Sequence, residues 1–467
     1  MLTKRVVIVG GGISGLAAAH RLIELGLERR QITLIEASGR LGGTLQTQHR
    51  DGFLLERGPD SFISEKPEAV ALAKRLGLES RLIETNEQFR RSFLVRNGRL
   101  RPVPEGFQLL APSRVWPFIT TDIFSFTGKL RMAADVLLPR KPANGTQDES
   151  LASFVRRRLG KEALERMAQP MVGGIYTADP ETLSLRATLP RFLDMERDQR
   201  SLILAMLRQS RALKSGTSGA RYSLFLSFDG GMGVLVEGLT DALAGVDVRL
   251  NTRVETLAVE SGAWTIRTNT GTTLEADAVC VAVPAYVAAS LLQNLDGKLA
   301  AQLNKIRYAS TATINFAYPR ASIKHPLDGF GFVVPFIEKR SLLACTFSNV
   351  KFAGRATEDH VLLRAFAGGA LQPEVFALEE SELVAQVEAD LRELLNIDRD
   401  PLFTEVAKWE RSMPQYEVGH LERVERIEGE VKQLAGLALA GNAYRGAGIP
   451  DCIRSGETAA EHLISEA

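Results

Sequence analysis

The chain begins with an unbroken apolar run from Arg5 through Val6-Val7-Ile8-Val9, which reads as a strand of a parallel sheet covered on both faces. Apolar positions then switch to helical spacing at Leu16, Ala19, Leu22, Ile23 and Leu25, and residues 31–35 supply a second strand. The first forty residues therefore predict a β-α-β unit. Ser64 is expected to cap a short helix with Glu65 and Pro67 in its first turn, an apolar face through Val70, Leu72, Ala73 and Leu76, and Gly77 as its stop. Ser150 opens another, stopped by Gly160. From about residue 95 to residue 215 helical periodicity, proline and arginine dominate and strand signals are few. Strands are expected at 253–259, 264–268, around Leu274 and at 278–283, with a hairpin turn at Thr270-Gly271. Further strands follow at 311–318, 331–335, 342–347 and 361–366, then a long amphipathic helix over 380–395. The end of the chain reads as strand (437–440), glycine loop and helix (451–464).

Composition narrows the class. With 467 residues the chain is too long for one core, so two or three packed domains are expected. Lys+Arg of 57 against Asp+Glu of 56 leaves a charge of +1 and no global field for a polyanion, so no nucleic-acid partner is expected. Cys280, Cys345 and Cys452 form no CxxC pair and the six histidines form no HExxH pair. That predicts no metal and no disulfide framework, and fits a reducing, cytoplasmic setting. The opening run is too short for a signal peptide, and no stretch of about 18 apolar residues predicts a spanning helix. The nearest approach, 107–126, is broken by Pro112, Arg114, Pro117 and Asp122. It reads equally as a surface dipping into the cytoplasmic membrane or as a wall of a substrate domain.

Gly10-Gly11-Gly12-Ile13-Ser14-Gly15 is a GxGxxG motif between strand and helix. Gly10 makes the tight turn, Gly12 admits a pyrophosphate to the backbone, and Gly15 lets helix and strand pack closely. The helix start offers free N–H groups and a positive dipole end to phosphates. Glu36, 21 residues after Gly15, ends the second strand where a carboxylate binds ribose hydroxyls, favouring an unphosphorylated adenosine ribose. Ala37 follows it; Arg40 could pair with phosphates, and Gly42, Gly43 and Thr44 permit close backbone approach. Gly58-Pro59-Asp60-Ser61 is a turn that can face a flat ring. Near the other end, Gly441, Ala447, Gly448 and Ile449 lie in a glycine loop whose following helix aims its dipole at the loop's contents.

Glu36-x3-Arg40-x-Gly42-Gly43-Thr44 resembles the FAD fingerprint of the amine oxidase, phytoene desaturase and protoporphyrinogen oxidase superfamily. The C-terminal block Gly441 to Ile453 is similar to the protoporphyrinogen oxidase version. So are Gly174-Ile175-Tyr176-x2-Asp179, Phe228 to Met232, Asp328 to Pro335, and Pro414-Gln415-Tyr416-x2-Gly419-His420. The resemblance runs from residue 6 to about 465. It implies an α/β fold: an FAD-binding Rossmann-like domain, a mixed-sheet substrate domain and an inserted helical domain. The segments would be 1–92, 220–300 and 431–467 for FAD, 93–215 helical, and 301–430 for substrate. It implies FAD as cofactor, with Val254 added to the contacts above. It further implies oxidation of protoporphyrinogen IX to protoporphyrin IX in haem biosynthesis. Six electrons would leave by three hydride transfers from meso carbons to flavin, with molecular oxygen as final acceptor and hydrogen peroxide formed. Phe330, Gly331 and Val333 would form one wall of the macrocycle slot, with Met171 and Phe366 as further candidates. Ser92 stands where some relatives carry a propionate-binding arginine, so Arg91 becomes the candidate anchor, and Arg96, Arg99 and Arg101 read as either extra anchors or a solvated face. Coproporphyrinogen III as substrate, an amine oxidase, and a flavin-free binding protein like the GDP-dissociation inhibitors stay open as alternatives, as do homodimerisation and peripheral membrane contact.

Overall fold

The computed structural model describes residues 4–141, 148–215 and 224–465. A five-stranded parallel sheet runs in the order Asp247–Arg249, Ile32–Ile35, Val6–Val9, Ala278–Val281, Leu437–Leu439. Its central strand is apolar throughout because Val6 and Ile8 enter one core cluster while Val7 and Val9 enter another on the opposite face. Ile13–Glu24 and Ile449–Ser465 pack together on the first face, so closely that a methyl on Gly456 would strike the Ser14 carbonyl. The second face is covered by the antiparallel strands Val254–Glu260, Ala263–Thr268 and Thr273–Ala276 and by the helix Ala285–Leu292. The expected turn is present: Gly271 has φ +78 and Thr268 N–H donates to the Thr272 carbonyl at 3.0 Å.

A seven-stranded sheet carries the order Phe403–Pro414, Tyr308–Pro319, His360–Gly368, Leu342–Phe347, Gly331–Val333, Phe93–Arg96, Arg99–Pro102. All pairs are antiparallel except Gly331–Val333 with Phe93–Arg96. One face is a core in which Phe93, Phe332, Cys345 and Ala365 meet Leu383, Val387 and Leu391 of the helix Glu380–Leu395. The other face looks toward the helices of residues 115–215, where Leu94 and Val333 join the helical core.

Two expectations change. Residues 93–102 form a hairpin in this sheet, not the start of the helical segment. Asn97 (φ +51) and Gly98 (φ +69) make its two-residue turn, an Asn-Gly signal that outweighs the surrounding arginines. Ser64 is no helix cap, because its N–H donates to the Leu224 carbonyl at 2.9 Å, extending the pairing of Phe62–Ile63 with Phe225–Leu226. The helix starts at Glu68, after Pro67. Ser150 does cap its helix, accepting from Ser153 N–H at 3.1 Å.

The 107–126 stretch divides. Phe118, Ile123 and Phe124 enter the core of the helical region, whereas Trp116 and Phe126 are 74% and 75% exposed. No helix among the described residues is long and apolar enough to cross a membrane.

Candidate cofactor and substrate site

The glycine loop leaves the Val6–Val9 strand and enters the Ile13–Glu24 helix with Gly12 as N-cap. Gly10 N–H donates to the Ile35 carbonyl at 2.8 Å, and Gly42 N–H to the Gly11 carbonyl at 2.8 Å. Gly11 N–H donates to one Glu36 carboxylate oxygen at 2.7 Å and Ser38 N–H to the other at 2.8 Å. Glu36 is thereby held with lone pairs to spare for ribose hydroxyls. A Cβ on Gly12 would meet only the Gly43 Cα at 4.0 Å, and one on Gly441 would meet nothing within 4 Å. The two ends of the chain thus leave backbone bare where a diphosphate must lie close, and the residues fit a dinucleotide.

Two expected contacts, Arg40 and Val254, look different in place. The Arg40 guanidinium bonds the carbonyls of Leu41 at 3.1 Å, Leu45 at 3.4 Å and Gly43, so it shapes the Gly42-Gly43 loop from within. Ala37, Gly43 and Thr44 remain exposed beside it. Val254 is buried among Val9 and Ile35, two residues past Thr252, whose N–H donates to the Glu36 carbonyl at 2.9 Å.

Gly58 sits against the Thr44 carbonyl with no room for a methyl. Its own carbonyl accepts from Arg364, and Asp60 pairs with Lys351 at 2.9 Å and Arg364 at 3.4 Å. Ser61 Oγ donates to Asp60 at 2.8 Å. Burial alone would raise the Asp60 pKa, but the two cations outweigh it and hold the carboxyl well below its usual range. Glu56, just upstream, goes the other way: burial pushes it to about 7, against hydrogen bonds from Met232 N–H (2.6 Å) and Thr47 Oγ1 (2.9 Å). Residues 56–61 are therefore pinned by a buried charge cluster reaching into a different sheet. The sequence reading missed it, although Arg364 inside the apolar run Val361 to Ala365 was a usable sign.

The C-terminal loop is clasped from the 414–420 block. Tyr416 donates its hydroxyl to the Asn442 carbonyl, and His420 Nε2 lies 2.8 Å from the Tyr444 carbonyl, with the two rings stacked at 4.3 Å. Burial lowers the His420 pKa to about 4 despite that carbonyl, so the ring is neutral at pH 7. The helix starts at Ile449, and Asp451 in its first turn pairs with Lys66 at 2.6 Å.

Register defines the slot wall. Arg101, Leu94, Val333, Ala344, Phe366 and Thr313 pair successively across six strands, so their side chains share one face. Val333 and Met171 both pack against the helical core, as does Ala447 of the C-terminal loop, and a Cβ on Gly174 would lie 3.8 Å from Val333 Cγ1. Met171 and Val333 thus meet where the helices, the sheet and the C-terminal loop come together, and Phe366 lies on the same face of the sheet two strands away. Gly331 has φ +142 with its missing side chain directed at the Cys345 carbonyl, so the strand itself demands glycine there. Phe330 lies just ahead of that strand, its N–H donating to the Arg91 carbonyl at 2.8 Å and its carbonyl accepting from Phe347 at 2.9 Å. Arg91 is one residue out of phase with the Leu94 row and pairs with Asp328 at 2.8 Å.

A phosphate-accepting helix start, a ribose acid and a closing segment from the far end of the chain define a flavoprotein oxidoreductase of the dinucleotide-binding class. The model of the flavin-containing amine oxidoreductases matches residues 13–464; the chain belongs to that family, and its cofactor is FAD. It is 36% identical to the coproporphyrinogen III oxidase of Bacillus subtilis (strain 168), over 99% of this chain and 98% of that one. It is 29% identical to protoporphyrinogen oxidase 2 of Arabidopsis thaliana, over 99% and 94%. A solved structure from Exiguobacterium sp. 255-15, provisionally assigned as a protoporphyrinogen oxidase, superposes with a TM-score of 0.89 at 32% identity and full coverage of both chains.

Proposed function

We propose that the protein is an oxygen-using porphyrinogen oxidase of haem biosynthesis whose substrate is coproporphyrinogen III. The observation carrying the porphyrinogen reading is the half-buried row Val333, Ala344, Phe366, an apolar wall in one register across three strands, with Met171 and Ala447 packed beside its Val333 end. A flat tetrapyrrole asks for such a wall. The Bacillus subtilis relative supports coproporphyrinogen III over the protoporphyrinogen IX that the sequence motifs favoured. Protoporphyrinogen IX is the second reading, supported by the Arabidopsis thaliana relative.

Bound FAD supplies the acceptor for a hydride leaving a porphyrinogen meso carbon. The chain's share is positioning and exclusion of water. The apolar row carries one face of the macrocycle, Met171 closes in from the helical side, and the clasp of Tyr416 and His420 keeps the C-terminal loop against the cofactor. No proton-relaying side chain is required of the wall.

The test presents each porphyrinogen anaerobically, then admits oxygen and follows porphyrin fluorescence and peroxide. Faster oxidation of coproporphyrinogen III is expected. Oxidation of neither, with a polyamine oxidised instead, would replace this reading by an amine oxidase. Exposed Val115, Trp116, Ile119 and Phe126 support peripheral contact with a bilayer, which co-sedimentation with anionic vesicles checks.

A further inference from the structure

Lys66 and Asp451 meet behind the loop that closes the flavin cradle, and we propose that Lys66, by neutralising Asp451, sets the reduction potential of the bound flavin. The inference rests on the FAD cradle and not on the porphyrinogen reading. Uptake of a hydride adds one negative charge to a flavin, so the charges fixed around the cradle decide how readily the hydride is accepted. The Ile449–Ser465 helix turns its positive end toward the 446–448 loop. Asp451 works against that end. It lies in the first turn with its side chain 5% exposed, and a Cβ built on Gly446 would strike its carboxylate. One on Gly448 would lie 3.1 Å from Asp451 Oδ2. Burial raises the pKa values of Tyr176 and Tyr416, and the Asp451 charge raises both further, so that charge is felt across the site.

Two cations oppose the carboxylate. Lys66 Nζ donates to its two oxygens at 2.7 and 2.6 Å, and Arg454, one turn along the helix, donates to Oδ1 at 2.6 Å. The two cations are not equivalent. Arg454 divides its guanidinium between Asp451 and Glu68, the latter at 2.9 Å, whereas the ionic partner of Lys66 among the described residues is Asp451. Lys66, Arg454, Asp451 and Glu68 together are neutral. Removing the lysine charge leaves one net negative charge behind the loop; removing the Asp451 charge leaves one net positive charge. Lys66 comes from the connection between the Phe62–Ile63 strand and the Glu68–Arg75 helix, so the balance joins the chain that follows the Gly58 to Ser61 turn to the last helix. Lys66 is 45% exposed, and a half-solvated pair adds little to folding. Its effect on the flavin can therefore be read apart from stability.

The test measures the reduction potential of the bound flavin by anaerobic photoreduction against a reference dye, with no porphyrinogen present. The unmodified holoenzyme is compared with Lys66→Met, Lys66→Arg, Asp451→Asn and the double variant Lys66→Met with Asp451→Asn, and flavin content is read for each. Lys66→Met should lower the equilibrium constant for reduction about tenfold, the order of one partly screened unit charge. For a two-electron couple that is a fall of about 30 mV. Asp451→Asn keeps the shape packed against Gly446 and should raise the constant by a similar factor. Lys66→Arg and the double variant should both lie within about twofold of the unmodified protein. Opposite shifts that cancel in the double variant are a signature that a merely structural contact does not give. Shifts of the same sign in the two single variants, or no shift in either, overturn the proposal. Should Lys66→Met fail to retain flavin, Asp451→Asn decides alone, and a potential at or below that of the unmodified protein overturns it.

Discussion

Asp60 pairs with two buried cations, Lys351 and Arg364, which makes Asp60→Asn the most informative perturbation of the cofactor site. The side chains of Asp60, Lys351 and Arg364 are 16%, 14% and 5% exposed, so solvent screens the cluster weakly. Asparagine keeps the shape and removes the charge, leaving two cations that repel each other with nothing between them. Breaking a buried ion pair in this way costs about 3–5 kcal/mol. Arg364 also holds the Gly58 carbonyl, so the loss extends to the segment packed against Thr44. Urea unfolding of flavin-loaded and flavin-stripped protein, followed by circular dichroism, measures the first effect; the flavin-to-protein ratio measures the second. Adding Lys351→Met removes one of the stranded cations, and the double variant should regain about 1–3 kcal/mol over Asp60→Asn alone. A cost below about 1 kcal/mol, together with full flavin content, would refute the assignment of this cluster as the support of residues 58–61.

Gly12→Ala should fold normally, because its methyl finds open space, yet lose the flavin absorbance band; a yellow variant would show that no diphosphate lies there. Glu36→Ala should likewise lower flavin content, read by absorbance after gel filtration. The two perturbed buried groups act on stability in opposite directions. His420, depressed to about 4 from 6.5, contributes stability above pH 6.5 that is lost as pH falls toward 4. Glu56, raised to about 7 from 4.5, contributes stability below pH 4.5 that is lost as pH rises through 7. Between those limits they offset each other, so Glu56→Gln should steepen the loss on acidification by up to about 3 kcal/mol, measured by urea midpoints at pH 6.5 and 4.5. Tyr416→Phe removes the hydroxyl that grips the Asn442 carbonyl and should cost about 1–3 kcal/mol, with faster flavin dissociation in dilution experiments.

Local signals foretold local structure. The Glu380–Leu395 helix and the Val6–Val9 strand were legible because period and burial agree along each. The phosphate loop and Glu36 were legible for the same reason, since strand, turn, helix and acid follow one another within 31 residues from Val6 to Glu36. What stayed hidden depends on partners far apart in the chain. Asp60 meets Lys351 and Arg364, and Tyr416 meets Asn442, through sheet registers that no window of sequence contains. Arg91 shows the same limit: its guanidinium pairs with Asp328, more than 200 residues away in sequence. The Phe403–Pro414 strand was missed because it alternates too weakly to be read, with Lys408, Glu410 and Arg411 among its side chains.

The packing of the first helix on the last has a consequence for biosynthesis. Leu437–Leu439 is the edge strand of the same sheet as Val6–Val9, and Gly456 seats the final helix directly on Ser14. During translation the opening β-α-β unit emerges first, with its phosphate loop formed but one wall of its core bare. It must wait for more than 400 further residues before Leu437 reaches it. Cofactor retention therefore reports arrival of the Ile449–Ser465 helix. A ribosome-stalled or proteolytically nicked product lacking that helix would be colourless, and newly made protein should acquire flavin only once the helix has emerged.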